Sequence, residues 1–382
     1  MSDSFIIDCV RTPRAKKKGK FSLLHAVDLL TYPLNAVTSR NKISPELIED
    51  VVIGCVTQIN EQAWCVARAG ILAAGWPVSV PGTTVNRLCG SGQQAVNFCA
   101  TGIAAGNYGL VIGGGVEHMT RVPMFSDMGG EDSPLIKKHH PDLVHQGLSA
   151  ELLAKKYGLT REQTDQFSFR SQMNAKNAAA EGKFVKSLIP VDYKLADGSS
   201  GILDKDDNPR PETTLEALAG LKAVFKEDGI ITAGNASAIV DGAAAILLAS
   251  ENKVKELGLK PRARIVGSQS VGSDPLIMLD GPIAASNILL KRCGLKVDDI
   301  DIWEINEAFA PVPLAVMQEL KINPEKVNVN GGGISLGHPL GATGAMLIGT
   351  AVDELEARNA RYALITMCIG LGMGIATIIE RV

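Results

Sequence analysis

Short unbroken apolar runs recur along the chain: Val51-Val52-Ile53, Leu110-Val111-Ile112, Ala245-Ile246-Leu247-Leu248 and Ala363-Leu364-Ile365. Runs of this length without polar alternation predict strands covered on both faces. Between them lie small-residue segments of helical character, among them 91–105 and 343–357. Strands and helices that alternate in this way predict an α/β fold.

The pattern occurs twice. Pro45-Glu46-Leu47-Ile48-Glu49-Asp50-Val51-Val52-Ile53 is echoed by Gly294-Leu295-Lys296-Val297-Asp298-Asp299-Ile300-Asp301-Ile302. Thr84-Val85-Asn86 leads through a Gly-rich turn and a small-residue helix to a strand ending Ile112-Gly113-Gly114-Gly115. Asn328-Val329-Asn330 leads through the same sequence of elements to Ile365-Thr366-Met367-Cys368. A shared order of this kind predicts two half-domains of one topology. Residues 115–237 match neither half and carry four of the six histidines. Thr160 with Gln163 is a capping-box signature ahead of a helix over 166–180. The expected division is 1–116 with 238–258 as one core half, 117–237 as an inserted loop domain, and 259–382 as the other half.

Composition narrows the classes. The 382 residues are 46% hydrophobic, 21% charged and only 4% aromatic, with 39 glycines. That describes a globular core of Ala, Val, Ile and Leu with many close backbone approaches. A net charge of −3 gives no electrostatic case for nucleic acid. The one dense basic run, Arg14 to Lys20, is expected to be a solvated surface loop. No apolar stretch is long enough for a membrane span or a signal peptide. Seven cysteines without C-x-x-C pairing argue against a disulfide framework and a metal site, so a reducing cytoplasm is expected.

Four segments suggest chemistry. Cys89, in Asn86-Arg87-Leu88-Cys89-Gly90-Ser91-Gly92, is predicted at a strand-to-helix turn, where the helix dipole favours a thiolate. Gly90 and Gly92 would let a substrate approach the backbone. Read alone, a buried structural cysteine is an equal reading. His338, in Gly331-Gly332-Gly333-Ile334-Ser335-Leu336-Gly337-His338-Pro339-Leu340-Gly341, has so many glycines around it that apolar core packing is not expected. The loop lacks the spacing of a phosphate or dinucleotide loop. Cys368 ends a strand in Met367-Cys368-Ile369-Gly370-Leu371-Gly372-Met373-Gly374, and backbone N–H groups of such a loop can hold an oxyanion. Asn306 follows the strand Ile302-Trp303-Glu304-Ile305, in Asn306-Glu307-Ala308-Phe309-Ala310, where a turn or helix-cap role is the plain alternative.

Taken together and in this order, these motifs resemble the thiolase family along essentially the whole chain. Thr232-Ala233-Gly234-Asn235-Ala236-Ser237 and the expected turn Gly114-Gly115-Val116-Glu117-His118-Met119 belong to the likeness. It is most similar to bacterial degradative 3-ketoacyl-CoA thiolases, and Cys89-Gly90-Ser91-Gly92-Gln93-Gln94 also resembles thiolases acting on bulky steroid-like side chains. The resemblance implies a duplicated five-layer αβαβα core with a loop domain. It implies coenzyme A as co-substrate, with no permanently bound cofactor and no metal. It implies at least a homodimer, and leaves open a dimer of dimers and a β-oxidation multienzyme partner. By the same resemblance Cys89 is the nucleophile, Cys368 the second acid/base, His338 the activating base, and Asn306 the holder of a water at the enolate oxygen. The N–H groups of Cys89 and Gly370 form an oxyanion hole. Ser237, His145, Phe309 and Met278 contact substrate or CoA. His145 occupies a position that is His in acetoacetyl-type enzymes and often Met in long-chain ones, so acetoacetyl-CoA synthesis is the alternative activity. The apolar Met124, Phe125 and Met128 favour a wider acyl pocket. The segment 126–144 is shorter and more charged than in most tetrameric relatives. A ketoacyl synthase would lack the second cysteine, and a non-catalytic scaffold would lack some of the four catalytic positions.

Overall fold

The computed structural model describes residues 3–129 and 133–382. The described strands are β1 (Ser4–Arg11), β2 (Ala15–Lys16), β3 (Asp50–Gly54), β4 (Gly82–Val85), β5 (Leu110–His118), β6 (Val191–Lys194), β7 (Ser200–Leu203), β8 (Val240–Ser250), β9 (Ala263–Gly272), β10 (Ile302–Ile305), β11 (Tyr362–Ile369) and β12 (Met373–Arg381). The main sheet runs β10-β11-β12-β9-β1-β8-β5-β3-β4, with β2 beside β8, while β6 and β7 form a separate hairpin.

This order is a repeat. In the first half β3 is parallel to β4 and β5, and β8 is antiparallel to β5 and β1. In the second half β10 is parallel to β11 and to a bridge at Val327, and β12 is antiparallel to β11 and β9. The senses match strand for strand, with 327–330 standing where β4 stands. Two pairs, Phe5 with Arg264 and Ile6 with Ala263, join the halves edge to edge.

The halves enclose two central helices, Ser91–Ala104 and Leu340–Ala357, which pack on each other and on the inner faces of both sheet halves. Helices Ala26–Arg40 and Val66–Ala73 cover the outer face of the first half. Helices Gly281–Cys293 and Pro311–Leu320 cover that of the second. The result is the expected five layers. Because the middle layer is mostly enclosed by protein, its helices are rich in apolar and small residues, with Gln93 and Asn97 among the buried exceptions.

The glycines of this layer are packing residues. A β-carbon on Gly341 would lie 2.7 Å from the Val116 carbonyl and 2.8 Å from Cys55 Cα, and one on Gly115 would overlap the Gly341 carbonyl. The atoms nearest a Gly115 β-carbon are all backbone, so rotamer changes cannot relieve them. Gly115→Ala should therefore lower stability by about 3 kcal/mol, as overpacking of a dense core does. Urea midpoints at unchanged m-value are the check. A midpoint equal to wild type would mean that β5 and the second central helix can part without loss.

Three expectations are corrected. The segment 114–118 is strand and not turn, because β5 continues as far as His118 beside β8. The basic run is solvated only from Lys16 onward. Arg14 is buried, its Nε donates to Met346 Sδ, and its backbone N–H donates to Asp206. The second central helix begins at Leu340, a turn before the expected Thr343, with Pro339 as its N-cap.

Among the described residues, the inserted region contributes no strand to the main sheet after His118 until β8 begins. It holds helices Pro134–His139, Gln146–Lys156, Arg161–Ala180 and Leu215–Ala219 and the β6–β7 hairpin. The predicted capping box is present: Thr160 Oγ1 accepts from Gln163 N, and Gln163 Oε1 accepts from Thr160 N. Of the segment 126–144, residues 130–132 lie outside the described residues.

Candidate active site

Cys89 sits in the turn between β4 and the first central helix. Asn86 Oδ1 accepts from Leu88 N, and Asn86 Nδ2 donates to Val56 O, 2.9 Å away. Ser91 Oγ accepts from Arg87 N and donates to Leu88 O. Leu88 is thereby held at φ 45°, a left-handed conformation unusual for a branched side chain. The motif residues around the cysteine thus build the turn that aims it. Gly90 and Gly92 serve packing and not substrate approach. A β-carbon on Gly90 would meet Ile369 Cδ1 at 2.6 Å, and one on Gly92 would meet the Gly341 carbonyl at 2.5 Å.

His338 occupies the matching place before the second central helix. Its backbone N–H donates to Ala238 O. The expectation that glycines would leave it unpacked fails, since its side chain is 2% exposed. Thr343 Oγ1 donates to Pro339 O at 2.9 Å and lies 2.6 Å from His338 Nδ1. With its hydrogen committed, Thr343 accepts, so the imidazole proton is on Nδ1. Nε2 is left as a hydrogen-bond acceptor, 3.3 Å from Asn306 Nδ2. Burial, aided by the Arg14 charge, pulls His338 down to about 3, so the ring is neutral throughout the physiological range.

Asn306 is placed by the end of β10. Asn328 Oδ1 accepts from Ile305 N, while Asn328 Nδ2 donates to Ile305 O and to Glu307 Oε1. The buried Glu307 carboxylate also accepts from Ser171 Oγ on a loop-domain helix and from Ile334 N in the Gly-rich loop. One side chain thereby ties three parts of the site together. Glu117 does the same on the other side, accepting from Val56 N, Thr57 N, Gln62 Nε2 and Gly341 N. Asn306 Oδ1 is buried with no hydrogen-bond partner among the described residues.

Cys368 lies on β11 one residue before its end, fully buried, in one apolar cluster with Met278, Phe309 and Ala308. Charge on Cys89 raises Cys368. Burial is the larger cause, and together they push Cys368 far up. The Gly370 and Cys89 backbone N–H groups face the Cys89 sulfur and favour its thiolate. Burial nevertheless dominates and lifts Cys89 to about 11. The expected helix-end thiolate is therefore corrected: in the empty site Cys89 is a thiol, and it needs a base at the moment of attack.

The remaining predicted contacts are Ser237, His145, Phe309 and Met278. Ser237 is half-buried, its backbone N–H donating to Ala308 O, and Ala236 bridges Phe309. His145 caps the helix Gln146–Lys156 with Nδ1 accepting from Gly147 N. Its ring stacks on Phe225 at 5.4 Å and meets Phe125 edge-on at 5.8 Å, and Phe225 in turn abuts Phe309. Met278 is buried at φ 60°. Met124 packs on the core that includes Cys89, whereas Phe125 and Met128 are exposed.

Of the residues singled out from the sequence, Cys89 interacts with Gly370 N–H and with Cys368, and His338 Nε2 lies 3.3 Å from Asn306 Nδ2. Sequence reasoning missed Thr343, which fixes the tautomer, and Arg14, whose charge adds to burial in keeping the ring neutral. It also missed Phe225, Gln146 and the bracing carboxylates Glu117 and Glu307. The two carboxylates carried a signal: a Glu inside an otherwise apolar strand or strand end must find partners.

This site stands in a fold whose comparisons agree. The chain matches the family described as Thiolase, N-terminal domain over residues 4–252 and Thiolase, C-terminal domain over residues 259–381. Two such matches, covering both halves of the repeat, place it in the thiolase family. It is 45% identical to the 3-ketoacyl-CoA thiolase of Vibrio vulnificus strain YJ016, covering 100% of each chain. It is 44% identical to the 3-ketoacyl-CoA thiolase of Klebsiella pneumoniae, again covering 100% of each. Among solved structures it resembles the Bacillus anthracis acetyl-CoA acetyltransferase with a TM-score of 0.92 at 37% identity, covering 100% of this chain and 99% of that one. The human mitochondrial 3-ketoacyl-CoA thiolase follows with 0.90 at 39%, covering 100% and 99%.

Proposed function

We propose that the protein cleaves 3-ketoacyl-CoA with coenzyme A, giving acetyl-CoA and an acyl-CoA shortened by two carbons through an acyl-Cys89 intermediate. The observation that carries this is the pair of buried, interacting thiols, Cys89 and Cys368, one with backbone donors at its sulfur. His338 Nε2, an acceptor at physiological pH, takes the Cys89 proton as the sulfur attacks the 3-keto carbon. The Cys89 and Gly370 N–H groups hold the tetrahedral oxyanion. The bond between the α- and β-carbons breaks, and the acetyl-CoA enolate oxygen is held by His338 and a water on Asn306. Cys368 protonates the enolate carbon. It then takes the proton of incoming CoA, whose thiolate removes the acyl group and returns Cys89. Each step is reversible, and coenzyme A is consumed as a co-substrate, not held as a cofactor.

The substrate is expected to be a medium or longer 3-ketoacyl chain. His145 has its ring faces against Phe225 and Phe125 and its Nδ1 in a helix cap, so it presents an aromatic wall with few polar demands. Each methylene buried should add about 0.8 kcal/mol, close to fourfold in kcat/KM, until the pocket ends. A chain-length series of 3-ketoacyl-CoA substrates measures this. A maximum at acetoacetyl-CoA with a steep fall beyond it would favour the second reading, acetoacetyl-CoA formation by condensation. The likeness to the Bacillus anthracis acetyltransferase keeps that reading in view.

The proposal includes the three-part division 1–116 with 238–258, 117–237, and 259–382. It includes a homodimer, which suits β4 at the end of the sheet among the described strands and Trp64, 97% exposed beside Cys65, whose Sγ donates to Gly82 O of β4. A dimer of dimers and a β-oxidation partner are further assemblies to be tested by light scattering and co-purification. A reducing cytoplasm suits seven free thiols. No helix among the described residues is long and apolar enough to cross a membrane.

A further inference from the structure

We propose that Gln146 is a catalytic residue of this site, its carboxamide donating a hydrogen bond to the Cys89 sulfur whenever that sulfur carries charge. The proposal deepens the acyl-Cys89 reading and rests on it. Gln146 Nε2 is buried and has no geometrically complete hydrogen bond among the described residues, yet the side chain lies within hydrogen-bonding reach of the Cys89 sulfur. A buried amide hydrogen without an acceptor is unfavourable, and a thiolate is an acceptor that appears only during reaction.

The position of the amide is fixed from several sides. Gln146 opens the helix Gln146–Lys156, whose cap is His145 Nδ1 on Gly147 N at 3.1 Å. Gly147 is pressed so closely on the Phe225 ring that a β-carbon there would overlap it. Ser149 Oγ donates to Leu276 O at 2.8 Å, and Ala150 packs in the cluster that contains Cys368, Phe309 and Met278. The helix start therefore has little freedom to swing the amide away. Its approach to Cys89 brings a side chain of the loop domain to a sulfur otherwise faced by backbone donors of the two core halves.

The sulfur is charged twice in each cycle, once as it attacks the 3-keto carbon and once as it leaves the acyl group to CoA. Between those moments it is a thioester sulfur and a poor acceptor. The donor therefore favours the charged forms over the acyl-enzyme and helps both half-reactions. It changes no bond itself. Gln146 opposes the upward push that burial exerts on Cys89.

The test is the pH dependence of Cys89 alkylation by iodoacetamide in the full-length enzyme, read at that cysteine by peptide mass spectrometry. It needs no acyl-CoA, so it fails or succeeds independently of the substrate assignment. Gln146→Met keeps length and packing but removes the donor. Alkylation at a fixed pH below the midpoint should slow about tenfold, and the midpoint should rise by about one unit. Gln146→Glu, isosteric but anionic at neutral pH, should raise the midpoint further. In turnover, both variants should lower kcat with little change in KM. Alkylation profiles superimposable on wild type in folded Gln146→Met or Gln146→Glu would overturn the proposal. So would a fall in turnover confined to KM.

Discussion

Replacing Cys89 by Ser is expected to reduce CoA-dependent cleavage by at least about a thousandfold while leaving the thermal midpoint close to wild type. Burial already lifts the thiol to about 11 in a site whose base, His338, has been drawn down to about 3. Proton transfer from sulfur to imidazole is therefore uphill. It succeeds because the thiolate is an intrinsically strong nucleophile and has backbone donors in place. A serine hydroxyl is a far weaker acid in the same dry pocket, so the transfer moves out of reach. The substitution changes one atom, so packing against the core is conserved. Product chromatography with a 3-ketoacyl-CoA measures the effect. Cleavage within tenfold of wild type would remove Cys89 from the nucleophile role.

The second large effect is expected at Cys368. Cys368→Ser should retain a slow first acylation and lose steady-state turnover by about two to four orders of magnitude. The two half-reactions call on this side chain differently. It must give a proton to an enolate carbon, and then take one from the CoA thiol. A hydroxyl is a poor donor in the first and a poor base in the second. Solvent can replace the donor slowly when acetyl-CoA is leaving, but nothing in the apolar cluster of Met278 and Phe309 can replace the base. Rapid-quench measurement should show acyl-enzyme accumulating and then persisting when CoA is added. Near-normal steady-state turnover would mean that the second thiol is structural.

Much of this was legible in the sequence because the repeat carries its own grammar. Val85-Asn86 and Val329-Asn330 each announce a strand followed by a turn and a small-residue helix. The fold places Cys89 and His338 at those two turns. What could not be read is what depends on distance. Glycines near His338 suggested an open loop. They are there because other groups press on them, Glu307 on Gly332 and Gly333, Val240 on Gly337 and the Val116 carbonyl on Gly341, and the imidazole among them is buried. The helix end predicted a thiolate at Cys89, but the dipole is a partial charge and the desolvation of a fully enclosed sulfur outweighs it. Arg14 stood in a run of lysines and looked like surface. Its burial against Met346, where its charge bears on His338, requires knowing that the segment after β1 passes over the middle layer. Gln146 had no signal at all, since its meaning lies in a contact between the inserted region and Cys89, 57 residues earlier in the chain.

The most direct test of the account is the identity of the acylated residue. Incubation with a 3-ketoacyl-CoA in the absence of free CoA, followed by rapid acid quench and peptide mass spectrometry, should find the shortened acyl group on the peptide containing Cys89. The adduct should disappear when CoA is supplied. An acyl group on Cys368, or turnover with no adduct on Cys89 at any time point, would contradict the mechanism.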